Sequence, residues 1–430
     1  MNSVIFKTFR NIAIWFYVFG EKLKSTEKKY DMVETSCHAT VRVFVNVLAS
    51  LFIMCCSGSV YAWSIFVVPL RTDYGMSTGD TQLIFGTIIG FFSVTMLFVA
   101  RIERRIGPRL TAVIGAVLFC SGYLLASLSG GSLWMILVGI SLLTGAGMGF
   151  GYVTVLTTLV KWFPGHQGLA TGVAVAGFGS GAILLSWIVQ PFFDRGLDAM
   201  TVFRYIGIIY GLLFLIGALF ISSPGQAEKE VTIKPVGFNT MVRDPRFWVL
   251  FYTFFAGSFA GLMLIGNLKP MGLSFGISKG ASLLAIVLVS VGNAVGRVLW
   301  GHVYDKIGGR RSVGIALVLL SALMLVLLTG VSLDIGFLLL CLFIGLCYGA
   351  NFVLYASEVS YTYGVTQLGV VYPAISLAYG ISGILGPLVG GYVYDATGEY
   401  SIPIILSSVI CLTGFFIFVI VGRRAFRPDE

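Results

Sequence analysis

Apolar residues gather along the chain into twelve long runs separated by short polar intervals. The runs cover about residues 43–69, 80–100, 110–128, 132–160, 168–190, 203–222, 246–268, 281–303, 312–331, 335–357, 366–391 and 402–421. A helix needs about 20 mostly apolar residues to cross a bilayer, and these runs are of that order. Membrane-spanning strands would instead alternate over segments of about ten residues. The pattern therefore predicts an all-α integral membrane protein with twelve transmembrane helices. The longest polar interval after the N-terminal tail, 223–245, divides them six and six. This gives an N-terminal half at 42–222, a linker at 223–245, a C-terminal half at 246–421 and a tail at 422–430.

Composition agrees, with 57% of the 430 residues hydrophobic and only 11% charged, against roughly 25% charged in soluble domains. The net charge of +9 reflects topology and is not a nucleic-acid signal. With a cytoplasmic N-terminus, the cytoplasmic segments hold all but six of the 28 Lys and Arg. The opposite loops keep Arg71, Arg195, Arg204, Lys269 and Lys279, and Arg297 lies within a run. Basic residues concentrate in cytoplasmic loops, so both termini are expected in the cytoplasm and the protein in the cell membrane. Residues 1–41 form a cytoplasmic tail whose stretch Val4 to Gly20 is apolar and aromatic, interrupted by Lys7 and Arg10. It reads either as an interfacial helix or as sequence preceding a true start at Met32. It has no uninterrupted signal-peptide core. The seven cysteines show no metal-ligand or disulfide spacing.

Arg297 is the one full charge set deep in an apolar run, and all 19 Asp and Glu lie outside such runs or at their margins. A guanidinium at the bilayer centre costs at least about 2.5–3.5 kcal/mol unless it faces a cavity or a partner. With no carboxylate nearby in sequence, the expected partner is an anion that comes and goes. Internal similarity supports a repeat. Gly145-Ala-Gly-Met-Gly-Phe-Gly-Tyr152 in the fourth run parallels Gly345-Leu-Cys-Tyr-Gly-Ala-Asn-Phe352 in the tenth, and Gly172 to Gly181 in the fifth parallels Ala378 to Gly386 in the eleventh. Repeats of this kind place a substrate site near the midplane, between halves that rock around it. Gly145, Gly147, Gly149 and Gly151 are expected to form a flat face on which such a motion slides.

The interval after the eighth run reads Gly301-His-Val-Tyr-Asp305-Lys306-Ile-Gly308-Gly-Arg310-Arg311. This matches the G-x-x-x-D-[RK]-x-G-[RK]-[RK] loop of the major facilitator superfamily, which the chain resembles over about residues 43–421. The resemblance implies the major facilitator fold, a functional monomer, and a cytoplasmic latch in which Asp305 pairs with a basic group and caps a neighbouring helix. The first-half counterpart, Ala100 to Arg109, is degenerate, with Ala100 for the first Gly and Arg104 for the Asp.

Further stretches resemble the oxalate/formate-exchanger and bacterial monocarboxylate-transporter branch: Ser57 to Ser64, Lys161 to Gly172, Phe247-Trp-Val-Leu, Gly296 to Gly301 and Cys347 to Phe352. That resemblance implies that Arg297 binds the substrate carboxylate, a task suited to a planar, permanently charged fork. It also implies a cavity lined by Tyr61, Tyr152, Phe178, Tyr348 and Phe352. The oxalate exchanger's second cation falls at Tyr379, which leaves one buried positive charge to match one negative charge. The expected substrate is then a monocarboxylate such as lactate, pyruvate, formate or acetate, with oxalate/formate exchange or another small solute as the alternatives. Animal-type carriers place an Asp where this chain has Asn293, so a proton would travel on the substrate, on a peripheral carboxylate or through water. Glu358 is expected outside the cavity, and His166 and His302 are not expected to carry the proton. Lys269 reads as an interfacial anchor, with capture of external anions as the lesser alternative. No nucleophile–base pair, phosphate loop or metal cluster indicates an enzyme, and no cofactor is expected. A non-transporting receptor would need a signalling domain, and the sequence carries none.

Overall fold

The computed structural model describes residues 33–163, 167–224, 237–329, 333–364 and 367–425, with side chains described except at 33–40, 167–176, 238, 369 and 422–425. The expectations for the first 32 residues, the start at Met32 and His166 lie outside this set. Residues 46–430 make one compact unit. Among the described residues there is no strand, and eleven helices are long and apolar enough to cross a membrane. Gln167–Asp194 supplies the remaining segment, fifth in chain order. The protein is an all-α membrane protein, with twelve such segments in chain order among the described residues.

Several helices outrun their apolar cores. The second is Thr78–Ile106, the eighth Lys279–Ile307 and the tenth Asp334–Tyr363. Hydropathy marks the membrane, whereas a helix ends where its last carbonyls are satisfied. Arg104, Arg105 and Lys306 occupy the final turns, where a positive charge suits the helix dipole. The second and eighth helices both stop on a left-handed glycine, Gly107 (φ 81°) and Gly308 (φ 79°), at corresponding positions of the two halves. Starts are set by side-chain caps. Ser77 and Asp80 form a reciprocal capping box on the second helix, Asp198 caps the sixth (Ala199–Phe220), and Asp244 caps the seventh (Pro245–Ser274).

Three runs are not the single regular helices expected. The first comprises Val33–Gly58, a tight 3-10 turn Ser59–Ala62 and a helix Ser64–Tyr74. The fourth widens to π geometry over Leu137–Thr144 before Gly145–Trp162. The eleventh is divided at Ser376 into Leu368–Ile375 and Leu377–Thr397. Pro373 lies just before that division, and proline lacks the N–H that a continuous helix would bond. Periodicity does not register such local changes of pitch.

The glycine expectation needs correcting. Side chains added at Gly145 and Gly149 would strike the second helix, at Gly147 the third (Pro108–Ser127), and at Gly151 Phe214 of the sixth and Ile53 of the first. All four pack within the first half, so they are no sliding face between halves. The close contact between halves is made by the second and eleventh helices. A Cβ on Gly86 would lie 2.7 Å from both Gly383 O and Ile384 Cα. Ser93 packs against Gly380, and Gln82 against Gly391. At the end of this seam nearest the odd-numbered interhelix connections, the Asp395 carboxylate accepts from the backbone N–H of Thr78 (3.1 Å) and Gly79 (2.7 Å). It thereby satisfies donors that a helix start leaves unpaired.

Because Gly86 faces backbone that cannot rotate away, Gly86→Leu should force this seam apart. The expected cost is about 1–3 kcal/mol, read as a lowered melting temperature in detergent. Gly280→Ala, where no atom lies within 4 Å, should leave the melting temperature unchanged.

Candidate functional site

The eighth and tenth helices meet backbone to backbone. Gly292 and Gly296 face Leu346, with a Cβ on Gly296 only 2.9 Å from Leu346 Cα, and a Cβ on Gly349 would sit 3.0 Å from Arg297 N. This close seam occupies one face of the eighth helix and leaves the Arg297 side chain at the wall of a closed cavity. The guanidinium is buried, with 6% of the residue exposed. Its Nε donates to Asn293 Oδ1 at 3.2 Å, one turn earlier. Its Cζ stands 4.3 Å from the Phe352 ring centroid, within cation–π range. Among the described residues Nη1 has no hydrogen-bond partner.

The cavity is a narrow one, lined by Tyr61, Phe92, Met96, Tyr152, Phe178, Arg297, Phe352, Tyr372, Ser376 and Tyr379. Its walls come from both halves. The Tyr61 hydroxyl, from the 3-10 turn, bonds those of Tyr379 (2.9 Å) and Tyr348 (3.2 Å), so a phenol clasp joins the halves. Edge-to-face contacts close the rest: Tyr61 on Phe178 (5.3 Å), Tyr152 on Phe178 (5.7 Å) and Phe352 on Tyr379 (5.2 Å). The result is an apolar enclosure with phenol groups and one guanidinium.

Of the expected site residues, Tyr61, Tyr152, Phe178, Arg297, Phe352 and Tyr379 line this cavity. Tyr348 and Asn293 stand one layer behind, the first bonded to Tyr61 and the second to Arg297. Phe92, Met96, Tyr372 and Ser376 were not foreseen. Their spacing was a usable signal, since 92 and 96 are four apart and 372, 376 and 379 recur at the helical intervals i, i+4 and i+7.

Asp305, Lys306, Arg310 and Arg311 are exposed. Among the described residues Asp305 has no ion pair, and Arg310 donates to Val419 O at 3.1 Å. Gly301 lies against Val353 and Gly308 supplies the turn. The group nearest the start of the ninth helix (Gly309–Leu327) is Glu358, whose carboxylate abuts Gly309 and accepts from Tyr304 at 3.0 Å. Glu358 does not line the cavity, and His302 is exposed. Lys269 is no interfacial anchor. It is buried, 4% exposed, and donates to Gln190 Oε1 of the fifth helix at 3.3 Å.

A family model described as Major Facilitator Superfamily matches residues 47–384. The chain is 27% identical over 393 residues to the oxalate:formate antiporter of Oxalobacter formigenes, covering 90% of this chain and 93% of that one. It is 25% identical to human monocarboxylate transporter 11, covering 81% and 76% of the two chains. In fold it is similar to a bacterial homolog of the human lysosomal transporter Spinster, with a TM-score of 0.69, 14% identity, and coverage of 88% and 97%.

Removing the Asn293 oxygen leaves a buried, charged donor without its acceptor. Asn293→Ala should therefore destabilise the protein by about 1.5–3 kcal/mol, seen as a lowered melting temperature in detergent.

Proposed function

Because the chain belongs to the major facilitator superfamily of membrane transporters, we propose that it carries a short-chain monocarboxylate, such as lactate, pyruvate, formate or acetate, by alternating access. The observation that carries this reading is the buried Arg297 guanidinium with Nη1 unpartnered at the wall of a closed cavity. A carboxylate there would meet a charged donor in a water-poor space, where an ion-assisted hydrogen bond is strong. The phenols of Tyr61, Tyr152 and Tyr379 offer further donors, and the rings of Phe178 and Phe352 suit a short apolar tail. One cation in the wall matches one negative charge. Exchange of the oxalate/formate type is the second reading, favoured by the similarity to the oxalate:formate antiporter. Transport runs either as proton symport or as anion exchange.

In this reading the carrier sits in the cell membrane and works as a monomer, and the bias of basic residues supports a cytoplasmic location for both termini. Asp395 on the start of the second helix then belongs to the outer side, which is shut. Gly301 to Arg311 lie on the cytoplasmic side, with Asp305 exposed and ready to pair when the halves close there.

Counterflow of labelled acids in liposomes, with and without a pH gradient, tests the substrate and the coupling together. Arg297→Ala should reach the membrane yet lose roughly 2–5 kcal/mol of anion binding, a fall in uptake of at least about thirtyfold; near-normal uptake would sink the assignment. Tyr379→Lys adds a second cation to the wall and should strengthen competition by oxalate about tenfold. Unchanged competition by dicarboxylates would remove the charge-matching argument.

A further inference from the structure

Outward of the cavity, a chain of polar side chains crosses between the halves. From the first half, Gln190 and Asp194 lie one turn apart at the end of the fifth helix, with Gln190 Nε2 donating to Asp194 Oδ1 at 2.8 Å. From the second half, Lys269 donates to Gln190 Oε1 at 3.3 Å, and Lys279 pairs with Asp194 Oδ1 at 2.9 Å. The outer pair is solvated, with side chains 64% and 51% exposed. Lys269 is 4% exposed. Gln190 is twelve residues beyond the cavity residue Phe178, or about 18 Å at 1.5 Å per residue.

Lys269 is poorly satisfied where it sits. An ammonium has three donors, and among the described residues Lys269 makes one hydrogen bond, to a neutral amide. Charge-assisted bonds are ordinarily about 2.7–2.9 Å, shorter than this one. An apolar side chain would fill the place at lower desolvation cost, so stability of the closed state does not explain a lysine here.

We propose that Lys269, Gln190, Asp194 and Lys279 form an outer gate whose opening converts Lys269 into the first docking point for an incoming organic anion. When the halves part on this side, Gln190 and Asp194 leave with one wall, while Lys269 and Lys279 stay on the other. Lys279 and Arg297 are eighteen residues apart on the eighth helix, about 27 Å, and Lys269 stands between them in depth. The second half then presents a descending series of cations, Lys279, Lys269 and Arg297. Positive charge along a narrow cleft concentrates anions and raises their entry rate. The docking step rests on the carboxylate reading, whereas the gate does not.

The test uses Gln190→Cys in the full chain reconstituted in liposomes, with the parent chain as background. An anionic sulfonate methanethiosulfonate should modify this thiol about tenfold faster than a cationic trimethylammonium one. Adding Lys269→Gln should lower that ratio at least about threefold, and Lys269→Arg should restore it. A ratio unaffected by Lys269→Gln would overturn the proposal. Asp194→Asn should speed modification by both reagents, and an unchanged rate would refute the gate. In transport, Lys269→Gln should raise the external KM about tenfold while sparing the internal KM and the maximal rate; an equal effect from both sides would refute the docking role. If no acid is transported by any variant, the carboxylate reading fails, while the modification rate in Asp194→Asn still decides the gate.

Discussion

A guanidinium that cannot lose its charge has to be accommodated somewhere in an apolar protein, and the architecture around Arg297 can be read as the answer to that demand. Asn293 takes one donor and the Phe352 ring takes a face of the fork. The glycines at 292, 296 and 349 draw the eighth and tenth helices so close that the side chain stays at the cavity wall and does not insert between them. What remains open among the described residues is the Nη1 group, at the meeting line of two half-proteins. The phenol clasp through Tyr61 spans the same line. The guanidinium and the clasp that joins the halves therefore share a location.

Packing within each half and packing between halves use the same small residue for different ends. In the fourth helix, glycines lock helices of one half together, and in the second and eleventh they let two backbones touch across the boundary between halves. Polar groups at that boundary are capped by partners from the other half, as Asp395 caps the second helix. Such contacts would be lost as a set if that boundary opened, which would favour two discrete arrangements over a continuum.

Much of this was legible in the chain. The twelve runs, the six-and-six division and the isolation of Arg297 follow from hydropathy and charge, because a bilayer leaves few ways to satisfy backbone and charge. Six of the eight expected binding residues meet at one cavity. Tyr348 and Asn293 fell one layer back because sequence position locates a helix face and not a depth. Tyr372 and Ser376 were missed although their spacing was regular, since the bend at Ser376 that goes with them leaves no periodic trace. Lys269 was misread because it stands next to Pro270 near the end of an apolar run. Its burial depends on Gln190, 79 positions away, and that proximity exists only after the halves come together. The glycines of the fourth helix failed for the same reason, since composition shows that a helix can be approached closely but not by which neighbour.

The unpartnered Nη1 of Arg297 also bears on how the protein behaves outside any transport assay. In the proposed reading, an anion that fits would supply a partner for this group only in the folded state. Linkage makes that selectivity visible as heat resistance: a ligand at a hundredfold excess over its Kd adds about 2.7 kcal/mol to folding stability. In that reading the folded chain would be its own ligand sensor. A panel of plain carboxylate salts, ranked by how far each delays unfolding of the solubilised protein, would order the acids by affinity before a single vesicle is made.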